Sequence, residues 1–319
     1  MNPEHFRADL AAKPDALARL ADGLRESDPW SEAGIGADTR LVLLGMGSSH
    51  YANAVAAARL RARGIDAVAE LASSDLLPAP RAGTVVVAVS ASGGSVETLD
   101  AVSRYADACP LVAMTNTADS AITAAATAVV PMRAGTEQSG VACRSFQHTL
   151  ALWLALESRL VGGIDVPVLV EAAAVATGDL LAREEEWLPS LAQHAMGPQG
   201  THFAAPARRL SSAQQAALML RETPRLPAVG CETGDWSHVD VYLTKTTDYR
   251  LVLFAGSRWE PQLLSWVAER GSTLVGVGGD VPGAAQVIRY SGDDDDDVRL
   301  LTEVLVAELL AASLWTPPA

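Results

Sequence analysis

Short apolar runs that end in glycine or serine and lead into helix-period segments recur along this chain, and they constrain its fold more than anything else in it. Residues 39–44 (TRLVLL) run into Gly45-Met46-Gly47-Ser48-Ser49, and residues 84–89 (TVVVAV) run into Ser90-Ala91-Ser92-Gly93-Gly94-Ser95. A strand covered on both faces reads as an unbroken apolar run, not an alternating one. Further strands are expected at 67–70, 111–114 and 128–131, with helices over 51–63, 96–107 and 145–161. The N-terminal stretch 3–24 has Phe6, Leu10, Leu17 and Leu20 at helical spacing, and Pro14 is expected to break it into two helices. Strand and helix alternate, which argues for a doubly wound α/β unit.

The plan then repeats. Residues 166–195 read as one or two linker helices and Gly197-Pro198-Gln199-Gly200 as a turn. Strands follow at 202–205, 226–230, 250–254, 274–277 and 287–290, with helices at 211–221, 260–270 and 298–314. A length of 319 residues suits two domains at roughly 100–200 residues each. The expected division is residues 1–165, carrying the N-terminal helices, and residues 166–319, carrying the linker helices. With 49% hydrophobic and 19% charged residues, both halves can bury a core. The run Asp293–Asp297 reads as a solvated loop of acids at a helix N-terminus, favourable to the helix dipole, with a cation site as the lesser reading.

The net charge of −14 disfavours nucleic acid and anionic membranes as partners. No uncharged apolar stretch is long enough to span a bilayer, and the N-terminus lacks the pattern of a secretory signal. Cys109, Cys143 and Cys231 are odd in number and far apart, which points to a reducing cytoplasm. No His/Cys cluster has zinc spacing, so neither a metal nor another cofactor is expected.

The two Gly/Ser loops carry the chemistry. Small residues let backbone approach a ligand, helix N-termini present N–H groups, and serine hydroxyls add donors, which together make a phosphate cradle. Taken alone, the first loop is also what any strand–helix turn would use; the second is more specific. A dinucleotide fingerprint fails because His50 stands where its third glycine would be, and no GK[ST] of a Walker loop occurs.

The SxSGxS pattern of Ser90-Ala91-Ser92-Gly93-Gly94-Ser95 after a VVVxV-type strand resembles the phosphate loop of the sugar isomerase (SIS) domain family. Lys13-Pro14 with Leu17 and Leu20 looks like that family's N-terminal helix pair. Gly135-Thr136-Glu137 followed by Gly140-Val141-Ala142 resembles a segment of the isomerase domain of glucosamine-6-phosphate synthase. Ala216 to Glu222 (AALMLRE) resembles a helix of that domain, and Cys231-Glu232 with Ser237-His238 falls at its GE…KHGP segment. The resemblance implies two SIS-type three-layer α/β units, each a parallel sheet flanked by helices. It also implies that Ser48, Ser49, Ser90, Ser92 and Ser95 hold a sugar phosphate, with Gly47, Gly93, Glu137, Gly140, Val141 and Ala142 as candidate pocket-lining residues. Glu222 would move the proton at C2, and His238 would help open the ring, reaching in from the neighbouring subunit of a homodimer.

Several residues depart from the family pattern. Ala91 replaces a glutamine, Met219 replaces a lysine three residues before Glu222, and the ending Leu314-Trp315-Thr316-Pro317-Pro318-Ala319 lacks a lysine-bearing tail. Ala205-Pro206-Ala207 stands where the first half has Gly-Met-Gly, so no second phosphate site is expected. Lys13 and Lys245 match no catalytic lysine, which leaves Schiff-base chemistry without an amine. From residues alone, Glu222 is an ordinary helix-end glutamate and His238 a solvated loop histidine; the resemblance gives them their roles. His148 and His202 read as structural, His50 as a helix-end residue near the loop, and Arg144 as a second candidate beside Glu137. The expected activity is a phosphosugar enzyme acting on a hexosamine 6-phosphate, with dehydration favoured over isomerisation or deamination. The alternative class is a non-catalytic sugar-phosphate sensor.

Overall fold

In the computed structural model, residues 2–315 are described, so residues 316–319 of the tail noted above lie outside the described residues. By their contacts these residues form two compact units. One comprises residues 15–137 and 142–171; the other comprises residues 2–14, 138–141 and 172–315. The N-terminal residues thus group with the second sheet, whereas division at residue 165 would place them with the first.

The first unit holds β1 (Arg40–Gly45), α3 (Ser48–Ala62), β2 (Ala67–Leu71), β3 (Thr84–Val89), α4 (Val96–Ser103), β4 (Leu111–Thr115), α5 (Ala121–Ala124), β5 (Ala128–Pro131) and α6 (Arg144–Val161). Nearly all of α2 (Lys13–Glu26) belongs to it, after α1 (Pro3–Ala11). The chain breaks at Ala12, and Pro14 falls in the first turn of α2, where its missing N–H costs nothing. The strands run parallel in the order β2-β1-β3-β4-β5. All six residues of β3 are buried, as its unbroken apolar run requires. Val42, Leu44, Val86 and Ala88 pack with Val102, Tyr105 and Ile122 on one face. Each fully buried Val or Leu contributes about 1.5–3 kcal/mol.

The second unit repeats the plan. After α7 (Val166–Ala182) and α8 (Glu184–Ala195) come β6 (Thr201–Ala205), α9 (Leu210–Glu222), β7 (Ala228–Glu232) and α10 (Thr233–Trp236). Then follow β8 (Arg250–Phe254), α11 (Glu260–Glu269), β9 (Thr273–Val277), β10 (Gln286–Ile288), α12 (Asp296–Thr302) and α13 (Leu305–Leu314). The parallel order β7-β6-β8-β9-β10 matches that of the first sheet strand for strand.

The differences from the sequence reading include two near the end of the described chain. The closing segment is two helices, because Glu303 is buried against Arg209 and the chain tightens there through Val306 N–H to Glu303 O (3.2 Å) and Ala307 N–H to Val304 O (3.0 Å). The acid run 293–297 is only partly solvated. Asp293 is buried and pairs with Arg289, Asp295 caps α12, and Asp296 faces Arg208, Arg209 and Arg299. No helix among the described residues is long and apolar enough to cross a membrane.

Within the second unit, α1 is tied down by polar groups as well as apolar ones. Lys13 Nζ pairs with the Glu308 carboxylate of α13 where both side chains are wholly buried, and Asp9 accepts from Gln138 N–H (3.2 Å) and Ser139 N–H (2.9 Å). Breaking a buried pair leaves one charge in a low-dielectric site. Lys13→Met is therefore expected to cost about 3–5 kcal/mol in urea unfolding, and Lys13→Met with Glu308→Leu to recover most of it.

Candidate functional site

In the first sheet, β1 and β3 are neighbours with Leu44 opposite Ala88, and the chain leaves them in opposite directions, to β2 and to β4. Such a reversal of strand order opens a crevice at the carboxyl ends of the two strands. Both Gly/Ser loops start at that edge. Gly45 is required by close packing, since a Cβ there would lie 2.9 Å from both Ser49 Cβ and Asn53 Nδ2 of α3. Gly47, with φ +49°, turns the chain into the helix. As a result α3 begins at Ser48, earlier than the pattern suggested, and Ser48 and Ser49 sit half-buried in its first turn.

The second loop folds on its own hydroxyls. Ser90 Oγ accepts from Gly93 N–H (3.2 Å) and Ser92 Oγ from Gly94 N–H (3.3 Å). An accepting role leaves each O–H hydrogen to be donated elsewhere. Ser95 caps α4 by accepting from Thr98 N–H and donates to Glu97 Oε2 (3.0 Å). Glu97's own backbone N–H, and after it that bond from Ser95, holds the Glu97 carboxyl below its usual range. Gly93 has φ +64°, and a Cβ on it would fall onto Ser120 Oγ. The residues after β4 brace this loop: Asn116 N–H (3.1 Å) and the Thr117 hydroxyl (3.2 Å) both donate to Ala91 O. Sequence reasoning missed Ser120, Asn116 and Thr117, whose only signal was their place after a strand end.

Glu137 closes the N-terminus of α6. Its Oε1 accepts from the N–H groups of Cys143 (2.8 Å), Arg144 (2.6 Å) and Ser145 (3.0 Å), and its Oε2 from the Ser145 hydroxyl (2.6 Å). Arg144 is buried and donates to Thr136 O. Gly140 is exposed with φ +76°, Val141 is buried and Ala142 half-buried. His148 is buried at α6 with Nδ1 2.8 Å from Met132 O. His50 lies by Glu70.

Glu222 and His238 both belong to the second unit. Glu222 is the half-buried last residue of α9, whose Ala216, Ala217, Met219 and Leu220 are buried. It lies towards the amino end of β7, the next strand. Gly230 lets α9 approach, since a Cβ there would strike the Ala213 carbonyl. His238 is exposed in the turn after α10, beyond the carboxyl end of β7. Five strand residues at about 3.3 Å each keep the two ends of β7 roughly 13 Å apart. The unit taken alone therefore does not bring these two side chains together. Beneath the His238 turn, Trp236 Nε1–H donates to Tyr249 Oη (2.8 Å), and Tyr249 donates to Asp240 Oδ2 (3.2 Å). The His202 ring stacks on Tyr249 at 4.1 Å. Burial, and after it the Asp240 charge, pushes both the Tyr249 hydroxyl and the Cys231 thiol up. Among the described residues no cluster of His, Cys, Asp and Glu could hold a metal ion.

Residues 35–158 match the SIS domain family. The match contains both serine loops and ends within α6. No curated protein sequence matches the chain. Among solved structures, the C-terminal domain of glucosamine-fructose-6-phosphate aminotransferase from Francisella tularensis is similar, with a TM-score of 0.78 at 15% identity over 97% of this chain and 95% of that one. Tagatose-6-phosphate ketose/aldose isomerase from Escherichia coli has a TM-score of 0.79 at 17% identity, over 98% and 94%. Glucosamine-6-phosphate deaminase from Thermotoga maritima has 0.73 at 16%, over 97% and 93%. The two-unit α/β SIS fold is thus shared along nearly the whole chain.

Two outcomes are expected. Glu137→Ala removes an ionised acceptor from the α6 N-terminus and should cost about 2 kcal/mol of stability in chemical unfolding. Burial, opposed by Glu70 and Asp240 respectively, holds the His50 and His202 imidazoles below their ordinary value of 6.5. Below pH 6.5 the unfolded chain then binds more protons than the folded one, so stability falls as pH drops through this range. His202→Asn should flatten that slope in unfolding measured at successive pH values.

Proposed function

We propose that this protein is a phosphosugar enzyme that acts on a hexosamine 6-phosphate by opening the ring and abstracting the C2 proton. One observation carries the reading: two Gly/Ser loops meet at the strand-order reversal of the sheet that matches the SIS domain family. Ser90 and Ser92 have O–H hydrogens to donate, and the first turn of α3 adds Ser48 and Ser49 beside a helix N-terminus. Ser95 joins them by turning its hydroxyl from Glu97.

Glu222 is the carboxylate for the C2 proton, which is acidic because it lies α to the C1 carbonyl of the open chain. His238 assists ring opening. Its exposure, and its distance from Glu222 along β7, support supply by a second subunit, hence a homodimer. The enolate formed at C2 next loses the 3-hydroxyl, which gives an unsaturated sugar phosphate and water. Transfer of a proton between the C1 and C2 substituents is the task for which the resemblance would supply a lysine. Met219 stands at that position in the core, and Lys13 is buried in its pair with Glu308. Elimination needs only a base at C2 and an acid for the departing hydroxyl. Cysteines that form no disulfide suit a reducing, cytoplasmic setting. Aldose–ketose isomerisation is the second reading, favoured by a similar structure named as a ketose/aldose isomerase.

Incubation with N-acetylglucosamine 6-phosphate and with glucosamine 6-phosphate in D2O, followed by NMR, separates these outcomes. Loss of H2 with a new vinylic signal is expected. A ketose product or released ammonia would replace dehydration by isomerisation or deamination, and absence of C2 exchange in both sugars would remove Glu222 as their base. Ser92→Ala should weaken binding of the phosphorylated sugar at least tenfold, since a hydrogen bond to a charged group contributes about 1.5–3 kcal/mol. Mixing Glu222→Gln with His238→Ala protein should restore part of the activity through hybrid dimers.

A further inference from the structure

The second sheet has its own reversal of strand order, between β6 and β8, and three guanidinium groups converge there. A Cβ built on Gly256 would lie 3.0 Å from Arg209 Nη2, 3.0 Å from Arg299 Nη1 and 3.3 Å from Arg208 Nη2. Gly256 has φ +117°, a conformation that suits glycine, so this space between three cations is kept clear of a side chain. Arg209 is buried and donates to Ala255 O; Arg208 Nη2 donates to Gly256 O (2.8 Å). Side chains thus make a cationic cluster where the first sheet has serine loops.

One tethered carboxylate sits among these three guanidinium groups. Asp296, at the start of α12, meets Arg208 Nε, Arg209 Nε (3.4 Å) and Arg299 Nη1 (3.3 Å). Burial works against its charge, but the Arg208 hydrogen bond and the Arg209, Arg208 and Arg299 charges outweigh it and keep the carboxyl below its usual range. The neighbouring acids are engaged: Asp293 with Arg289, Asp295 with the N–H groups of Asp297 and Val298, and Glu303 with Arg209. Glu260 Oε1 accepts from the N–H groups of Gly256 and Ser257, a second carboxylate on the loop after β8. Three guanidinium groups thus face three carboxylates, Asp296, Glu303 and Glu260, and neutralising Asp296 would leave an excess of one positive charge.

We propose that the carboxyl ends of β6 and β8 form a second anion site, for the phosphate group of a small molecule, which Asp296 keeps closed as a built-in counter-ion. The proposal departs from the expectation that Ala205-Pro206-Ala207 leaves the second half without one: the donors would come from arginine side chains instead of a Gly/Ser turn. A tethered carboxylate competes at an effective concentration in the millimolar range, so ligand must displace it to enter.

The test uses the full chain carrying Ser90→Ala and Ser92→Ala, so that it does not depend on the serine loops or on the proposed activity. Inorganic phosphate is titrated by calorimetry at constant ionic strength. Adding Asp296→Asn should tighten phosphate binding at least tenfold over this background, at one phosphate per chain, and adding Arg208→Ala to that should abolish the gain. Arg208 and Asp296 are partly exposed, so the fold should survive both changes; Asp296→Ser serves should Asp296→Asn not fold. No gain on neutralising Asp296, or a gain that persists without Arg208, would overturn the proposal. Glucosamine 6-phosphate in the same variants tells free phosphate from a phosphomonoester: tighter binding of the sugar phosphate identifies the latter as the ligand, and equal or weaker binding identifies phosphate itself.

Discussion

A parallel strand in a three-layer sheet must be covered on both faces, and each crossover helix can cover only one. The chain meets this demand in each unit by winding helices onto one side and then reversing, so that the orders β2-β1-β3-β4-β5 and β7-β6-β8-β9-β10 each contain one reversal. At that point two adjacent loops diverge and leave backbone N–H groups and side chains facing a crevice. The serine loops, the glycines that admit α3 and the brace from the residues after β4 all follow from where this reversal falls.

The same geometry has been filled in two chemical ways. At β1/β3 the loops use small residues: Gly45 and Gly47 bring α3 close, Gly93 avoids Ser120, and two serine hydroxyls close the turn on itself. At β6/β8 the chain places Arg208 and Arg209 directly after the strand, and their charges are met by acids from α12 and the segment that follows it. The first edge carries neutral hydroxyls, and the second holds a carboxylate of the same chain among its arginines. A fold can keep its crevice while exchanging the groups that line it, because strand order comes from apolar burial and loop chemistry does not.

Much of this was legible in the residues. The apolar runs located β3 and β8 to the residue, because a strand buried on both faces leaves no ambiguity of period, and β5, whose residues alternate buried and exposed, was located as well. The Gly/Ser loops were visible as motifs, and the family match over residues 35–158 contains both. Helix ends were less legible. The α3 start moved back to Ser48 because Gly47 makes the turn, and the closing helix divided at Glu303 because a buried arginine from another element holds that residue. The second cause is not local in sequence. Glu137 was legible as a motif residue, but not that its carboxylate receives four hydrogen bonds at the α6 N-terminus.

By itself, the sequence determined the α/β class, the repeated strand–loop–helix plan and the two serine-bearing loops, since these rest on hydrophobic period and on residue types that act within a few positions. Only the tertiary structure decided which acid meets which base. Lys13 with Glu308, Arg209 with Glu303 and Asp296 with three arginines join residues 87 to 295 positions apart, apart from Arg299 beside Asp296 on α12. Charged side chains carry no period that marks a distant partner, and their pairing is fixed by packing of the elements that bear them. The grouping of α1 with the second sheet was decided in the same way, by a buried lysine whose partner lies near the other end of the chain.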